Sequence, residues 1–147
     1  MQKTACYSKI KVMKKSFIIL SMLTFLFCAV SCESVEEIPQ DITAGELLQK
    51  GQDAYSSSDY VNAERYYLEV IKRFGNNLET YVEARYELGH LYLMTKDYEK
   101  AYASFKEILQ IFDTAPANSL PRAYKKLAEN GIAKIPQEEL EKITSKK

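Results

Sequence analysis

The side chains that could do chemistry in this chain are few and lie far apart in the sequence. His90 is the only histidine among 147 residues, and the cysteines are Cys6, Cys28 and Cys32. Catalysis or metal binding requires several groups at ligand spacing, and His90 has no second histidine, cysteine or carboxylate pair placed in this way. The sequence also contains no glycine-rich phosphate loop, Gly-x-Ser-x-Gly motif or His-Glu-x-x-His motif. We therefore expect neither enzymatic activity nor a bound metal or cofactor.

The segment that precedes Cys32 has the pattern of an export signal. Lys14 and Lys15 are followed by an uncharged, largely apolar stretch over residues 17–30. A positive segment, an apolar core and small residues before the cleavage point are typical of a secretory signal peptide. The stretch is shorter than the roughly 20 residues that a membrane-spanning helix needs. The sequence thus predicts a signal peptide over residues 1–31, with a permanent signal anchor as the alternative.

Cys32 ends a short motif, Ala29-Val30-Ser31-Cys32, that resembles the lipobox of bacterial lipoproteins, with Ala29 where leucine is usual. In that family the cysteine becomes the mature N-terminus and carries lipid, so the resemblance implies that acyl chains, palmitate among them, anchor Cys32 in a membrane. The other cysteines lie in the predicted signal peptide, which leaves Cys32 without a disulfide partner. Met13, directly before two lysines, suits a translation start as well as Met1 does.

The charge distribution argues against a nucleic-acid partner. All 20 acidic side chains but only 15 of the 20 basic ones lie after Cys32, which leaves a net charge of −5 on the predicted mature chain. Residues 33–43 hold several acids and few apolar side chains, a pattern typical of a solvated spacer. We therefore expect the lipidated cysteine and a flexible tether over residues 32–43, and a folded domain from Ala44 onward.

From Ala44 the chain repeats itself at a shift of 38 residues. Apolar side chains at three- and four-residue spacings predict helices, and Asp59 and Asp97 suit helix N-caps. A glycine within each first helix predicts a close helix crossing, with Ala63 or Ala101 opposite it. The aligned pairs are Gly51 and Gly89, Asp59-Tyr60 and Asp97-Tyr98, Ala63 and Ala101, Tyr67 and Phe105, and Phe74 and Phe112.

The second unit, with Leu88-Gly89-x-x-Tyr92 and then Ala101-x-x-x-Phe105, resembles the tetratricopeptide repeat (TPR) family. Its length is similar to that of repeats in outer-membrane assembly and Tol–Pal-associated proteins. The resemblance implies an all-α fold of antiparallel helix-turn-helix repeats, with units over about residues 44–77 and 82–116. The packing residues that it implies are Gly51, Ala63, Tyr67, Leu88, Gly89, Tyr92, Ala101 and Phe105.

A third unit begins after Pro116 and then stops. Residues 121–128 align with residues 82–89 at a shift of 39, and their outer side is polar. Terminal repeats need such a polar side because no further unit covers them. We expect a capping helix over about residues 120–135, which closes a domain over residues 44–136. A charged tail is expected over residues 137–147.

The resemblance implies a lipid-anchored scaffold that binds a protein or peptide partner in the bacterial envelope, at the outer membrane on its periplasmic side. The family binds partners on a concave face lined by the first helix of each unit. The alternatives are a structural unit that self-associates through its repeat ends, and an accessory subunit of an outer-membrane or cell-wall assembly complex. The candidate partner-binding residues are Leu48, Gln52, Tyr55, Ser56, Glu83, Tyr86, His90, Leu93, Met94, Arg122, Lys125 and Glu129.

Overall fold

A computed structural model describes residues 37–116 and 119–145 of the chain. The predicted signal peptide over residues 1–31, the predicted lipidation site Cys32 and the start of the tether lie outside the described residues. The chain divides into two units after Ile38, and every helix given below belongs to the unit that begins at Pro39.

The described residues form six α-helices and no strand, so the expectation of an all-α fold is confirmed. Helix α3 begins four residues before residue 82, where the second unit was expected to start. The extra residues of the long repeat therefore form an additional first turn of this helix. The helices are α1 (Ala44–Ser56), α2 (Tyr60–Phe74), α3 (Leu78–Met94), α4 (Tyr98–Thr114), α5 (Arg122–Ala133) and α6 (Gln137–Ser145).

The first four helices begin at residues that cap them, because each cap side chain accepts a hydrogen bond from a backbone N–H of the first turn. Asp59 accepts from the N–H of Asn62 at 3.1 Å, and Asp97 accepts from the N–H of Lys100 at 3.2 Å. The expected N-caps are thus confirmed. Thr43 and Asn77 cap α1 and α3 in the same way.

The turn inside each helix pair is the same at a shift of 38 residues. Ser58 and Lys96 both adopt a left-handed backbone, with φ of 63° and 64°. The N–H of Asp59 donates to the carbonyl oxygen of Ala54 at 2.9 Å, and the N–H of Asp97 donates to that of Tyr92 at 2.8 Å. Two copies of one short sequence pattern therefore fold into one turn geometry.

Each helix from α1 to α4 packs against the next one along the chain. In addition, α1 packs against α3 and α3 packs against α5, whereas the backbones of α2 and α4 stay farther apart and are bridged by an ion pair between Lys100 and Glu64 at 3.9 Å. The first helices of successive pairs are thus closer together than the second helices. The helical array therefore curves, with α1, α3 and α5 on the inner side.

Aromatic rings of the outer helices fill the space beside the glycines of the inner helices. The buried ring of Phe105 lies between Gly89 and Gly131, where added Cβ atoms would come within 2.6 Å and 2.5 Å of it. Tyr67 lies against Gly51 in the same way. The atoms nearest to Gly89 belong to Phe105 and not to Ala101, so the glycine makes room for a ring and not for a small side chain.

At the C-terminal end the structure differs from the expectation of a charged tail. Residues 137–145 form α6, which packs against α4. Acidic side chains in its first turn and Lys142 near its end favour the helix, because they match the charges of the helix dipole. The Lys142 ammonium also lies 2.8 Å from the Glu138 carboxylate and 3.0 Å from that of Glu139.

Candidate functional site

A groove runs along the inner side of the helical array, and we call it the inner groove. Between α3 and α5 it deepens into a cavity of about 310 Å³, floored by Phe105 and Gly131. The other residues that line this cavity are Tyr86, His90, Leu93, Leu127, Asn130, Ala133 and Lys134. The groove continues toward α1 over Gln52, Tyr55, Glu83 and Glu87, and Tyr124 lies beside it on α5.

Aromatic rings form a continuous row across the inner groove, from α1 through α3 to α5. The Tyr55 ring lies 5.4 Å from the His90 ring, which stacks on Tyr86 at 6.2 Å. The Tyr86 ring also lies 6.0 Å from that of Tyr124. These rings are half-buried, so each leaves part of its apolar surface exposed in the groove. Tyrosines placed in this way are common anchors of protein interfaces.

Carboxylates border the aromatic row on α3. Gln52 Nε2 donates to Glu87 Oε1 at 3.1 Å, a contact that joins α1 to α3. The Tyr124 hydroxyl forms a hydrogen bond with Glu83. Burial raises the pKa of Glu83, and the negative charge of Glu87 raises it further, while the bond from Tyr124 opposes both effects. The electrostatics of this side of the groove therefore favour a positive charge.

Tyr67 lies beneath the groove between α1 and α3. Its side chain is 1% exposed, and its hydroxyl has no hydrogen-bond partner among the described residues. Burial raises the pKa of this phenol, and the nearby charge of Glu87 and the hydroxyl of Tyr55 act in the same direction. The hydroxyl is therefore a buried donor below the groove residues Tyr55 and Glu87.

The structure brings most of the predicted inner-helix residues together in one groove. Gln52, Tyr55, Glu83, Tyr86, His90 and Leu93 all line it. Leu48 does not, because it is 7% exposed and packs in the core. Its assignment as a partner-binding residue is therefore corrected. Ser56 and Met94 are exposed at the ends of their helices, and neither lines the cavity.

The predicted residues of the capping helix face away from the groove. Arg122, Lys125 and Glu129 line a different cavity of about 430 Å³, beside Phe112 and Leu120. Since residues three and four apart share one side of a helix, they cannot also face Tyr86. The same spacing places Tyr124, Leu127 and Gly131 on the groove side. This apolar spacing is the signal that could have identified Tyr124 and Leu127 from the sequence.

Among the described residues, no group of three or more histidine, cysteine, aspartate or glutamate side chains is arranged to hold a metal ion. Within the same residues, the apolar length needed to cross a bilayer occurs in no helix. The groove offers a ligand aromatic rings, carboxylates and an apolar cavity.

Comparisons with known proteins show a similar protein, whose description does not state a function. No protein-family model matches the chain, and no solved structure matches it. A protein from Treponema pallidum (strain Nichols), described as "Uncharacterized protein", is 30% identical over 111 residues. The match covers 76% of this chain and 44% of the relative, so the chain spans less than half of the relative's length. The chain is thus similar to a longer protein of undescribed function.

Proposed function

We propose that the chain is a lipid-anchored, tetratricopeptide-type interaction module of the bacterial envelope, which binds a protein or peptide in the inner groove. The observation that carries this proposal is the half-buried row of Tyr55, His90, Tyr86 and Tyr124 beside an open cavity. Rigid amphipathic rings next to a pocket are the features on which interface energy concentrates.

Two repeated features support the tetratricopeptide-type assignment. The turn at Ser58 recurs at Lys96 with the same backbone geometry. In each pair an aromatic ring of the second helix lies against the glycine of the first. The lipid anchor rests on the motif that ends at Cys32, and the proposed placement at the outer membrane, on its periplasmic side, rests on the resemblance to repeats of outer-membrane assembly proteins. A component of an outer-membrane or cell-wall assembly complex is a partner that this location would favour.

The groove is tested by crosslinking the full chain to its partner in native membranes. Truncation of two groove residues, His90→Ala with Leu127→Ala, should abolish recovery of the crosslinked partner, because these side chains border the cavity. The matched control is Val61→Ala with Leu68→Ala on α2, which should retain the partner. Melting temperatures of all three proteins must agree within a few degrees. A partner that survives the groove variant would place the interface elsewhere.

Self-association is the second candidate function, and two exposed apolar residues on α2 favour it. Val61 is 79% exposed and Leu68 is 44% exposed, and at seven residues apart they lie on one side of the helix. If this side joins two copies, sedimentation of the detergent-solubilised chain should depend on concentration. The Val61→Ala with Leu68→Ala variant should then be monomeric, whereas the groove variant should associate as before.

The lipid anchor is tested at Cys32. Cys32→Ser should leave an uncleaved precursor that no longer incorporates labelled fatty acid. The parent chain should be labelled under the same conditions. A variant that still takes up the label would show that another residue carries the lipid, or that the motif at Ala29 is not recognised.

A further inference from the structure

The inner groove carries negative charge that no lysine or arginine of the described residues pairs with. Glu79, Glu83 and Glu87 follow one another at four-residue intervals on α3, so they lie on one side of the helix. Among the described residues none of them forms an ion pair with lysine or arginine. By contrast, Glu107 lies 3.0 Å from the guanidinium of Arg85. Like charges at this spacing repel one another and destabilise a helix. A cationic ligand bound beside the three carboxylates would offset this repulsion.

The aromatic row lies against these carboxylates. Tyr124 contacts Glu83 through its hydroxyl and Tyr86 through its ring, and Gln52 holds Glu87 in position from α1. A cation between ring faces and carboxylates is attracted by both, and the attraction grows where water is partly excluded. The half-buried rings therefore complement a lysine ammonium or an arginine guanidinium.

A second, independent feature points to a ligand at the same place. The Tyr67 ring packs against Gly51 of α1, and its hydroxyl lies close enough to Glu87 on α3 and Tyr55 on α1 for both groove residues to act on it electrostatically. This hydroxyl is buried and has no partner in the described part of the chain. Phe105 fills the equivalent place in the second helix pair, so packing alone does not require a hydroxyl there. A buried donor without a partner is destabilising, and a ligand that reaches this floor would satisfy it.

The other end of the groove differs in character. Leu93, Leu127 and Ala133 border the cavity of about 310 Å³, and Lys134 is the charged residue there. The groove thus runs from an acidic, aromatic end near Glu83 to an apolar end near Lys134. A matching ligand needs a positive charge at one end and an apolar side chain at the other.

We propose that the inner groove binds a peptide segment in which lysine or arginine lies close to an apolar side chain. The charged side chain lies among the rings and carboxylates of α3 and α5, and the apolar one enters the cavity beside Leu127. This inference rests on the proposed function, and it adds the chemistry of the partner. It excludes acidic peptides, which the three carboxylates of α3 would repel.

The test measures binding of a fluorescent, end-blocked peptide, Lys-Ala-Lys-Ala-Leu, to the full chain in detergent by fluorescence anisotropy. Two matched peptides carry Nε-acetyllysine or glutamate in place of lysine. Glu83→Gln with Glu87→Gln should weaken binding of the lysine peptide by about tenfold or more, because it removes the charge and keeps the side-chain shape. The control, Glu129→Gln with Glu138→Gln, makes the same change in net charge away from the groove and should bind as the parent does.

The expected pattern is binding of the lysine peptide alone, weakened by salt and by the groove substitutions. Equal binding of the acetyllysine peptide, or equal loss in both double variants, would overturn the inference. Tighter binding of spermidine than of the peptide would overturn it too, because spermidine has charge but no backbone. If no peptide binds while the His90 and Leu127 variant still loses its crosslinked partner, the inference of a basic peptide fails. The proposal that a partner binds in the inner groove then still stands. The peptide comparison with the parent chain decides the outcome even if a variant does not fold.

Discussion

Tyr67 and Phe105 occupy equivalent places in the two helix pairs, and their side chains differ only by the hydroxyl group of tyrosine. Each ring is buried against a glycine of an inner helix. The hydroxyl of Tyr67 adds nothing to this packing and has no partner in the described residues. Tyr92, by contrast, donates its hydroxyl proton to Glu64 Oε1 at 2.6 Å. One buried phenol is therefore satisfied by a carboxylate, whereas the other has no hydrogen-bond partner among the described residues.

The two tyrosines should respond in opposite ways when their hydroxyls are removed. Tyr67→Phe should raise the free energy of unfolding by about 1 kcal/mol, because it removes an unsatisfied buried group. Tyr92→Phe should lower it by about 2 kcal/mol, because it breaks a hydrogen bond to a carboxylate. Urea denaturation of the two variants measures both effects. If Tyr67→Phe destabilised the fold as much as Tyr92→Phe, the Tyr67 hydroxyl would have a partner in the native state.

At the scale of elements, the glycines decide how closely inner and outer helices approach. Phe105 of α4 lies between Gly89 of α3 and Gly131 of α5. A ring held from both sides cannot move away from one helix without moving into the other. Glycine within a helix costs about 1 kcal/mol relative to alanine. Here glycine lies at the positions where a Cβ atom would clash with the Phe105 ring.

Gly89→Ala should therefore destabilise the domain by about 1–3 kcal/mol, although alanine is the better helix former. The added Cβ would lie 2.6 Å from Phe105 Cε1. Gly45→Ala in the first turn of α1 is the matched control, since nothing lies within 4 Å of its added Cβ. That control should leave stability unchanged or raise it slightly. Equal melting temperatures of Gly89→Ala and the parent would show that Phe105 is free to shift.

At the scale of the whole molecule, buried tyrosines connect the helices and make the fold sensitive to high pH. Tyr67, Tyr92 and Tyr124 lie on α2, α3 and α5, and burial raises the pKa of each phenol, to about 12 for Tyr124. Their negative neighbours, Glu87 for Tyr67, Glu64 for Tyr92 and Glu83 for Tyr124, act in the same direction. The folded state therefore holds these protons more tightly than the unfolded state does.

This linkage predicts alkaline unfolding. The pKa of a tyrosine in the unfolded chain is about 10, so the stability that depends on neutral phenols is complete below that pH. Above it the unfolded state releases protons that the folded state retains, and the free energy of unfolding falls as pH rises. Tyr124→Phe should make this decline shallower, because one linked proton is removed. Urea denaturation from pH 9 to 12 measures the slope, and an unchanged slope would show that Tyr124 ionises normally in the fold.

The local features of the fold could be predicted from the sequence. The helices and their N-caps at Asp59 and Asp97 depend on interactions within a few residues. The repeat at a shift of 38 residues places the same local interactions in both helix pairs. The turn that Ser58 and Lys96 share follows from this local similarity. Such features form wherever the short pattern occurs, because capping and helix propensity act over one or two turns.

Which side of each helix faces the groove depends on packing between helices and could not be predicted from local patterns. Leu48 and Tyr55 both lie on α1, yet packing against neighbouring helices buries the first and leaves the second in the groove. On α5 the same packing turned Tyr124 toward Tyr86 and Lys125 toward the opposite cavity. The angle at which helices cross sets these outcomes, and it depends on contacts between distant residues, such as the ring of Phe105 between two glycines.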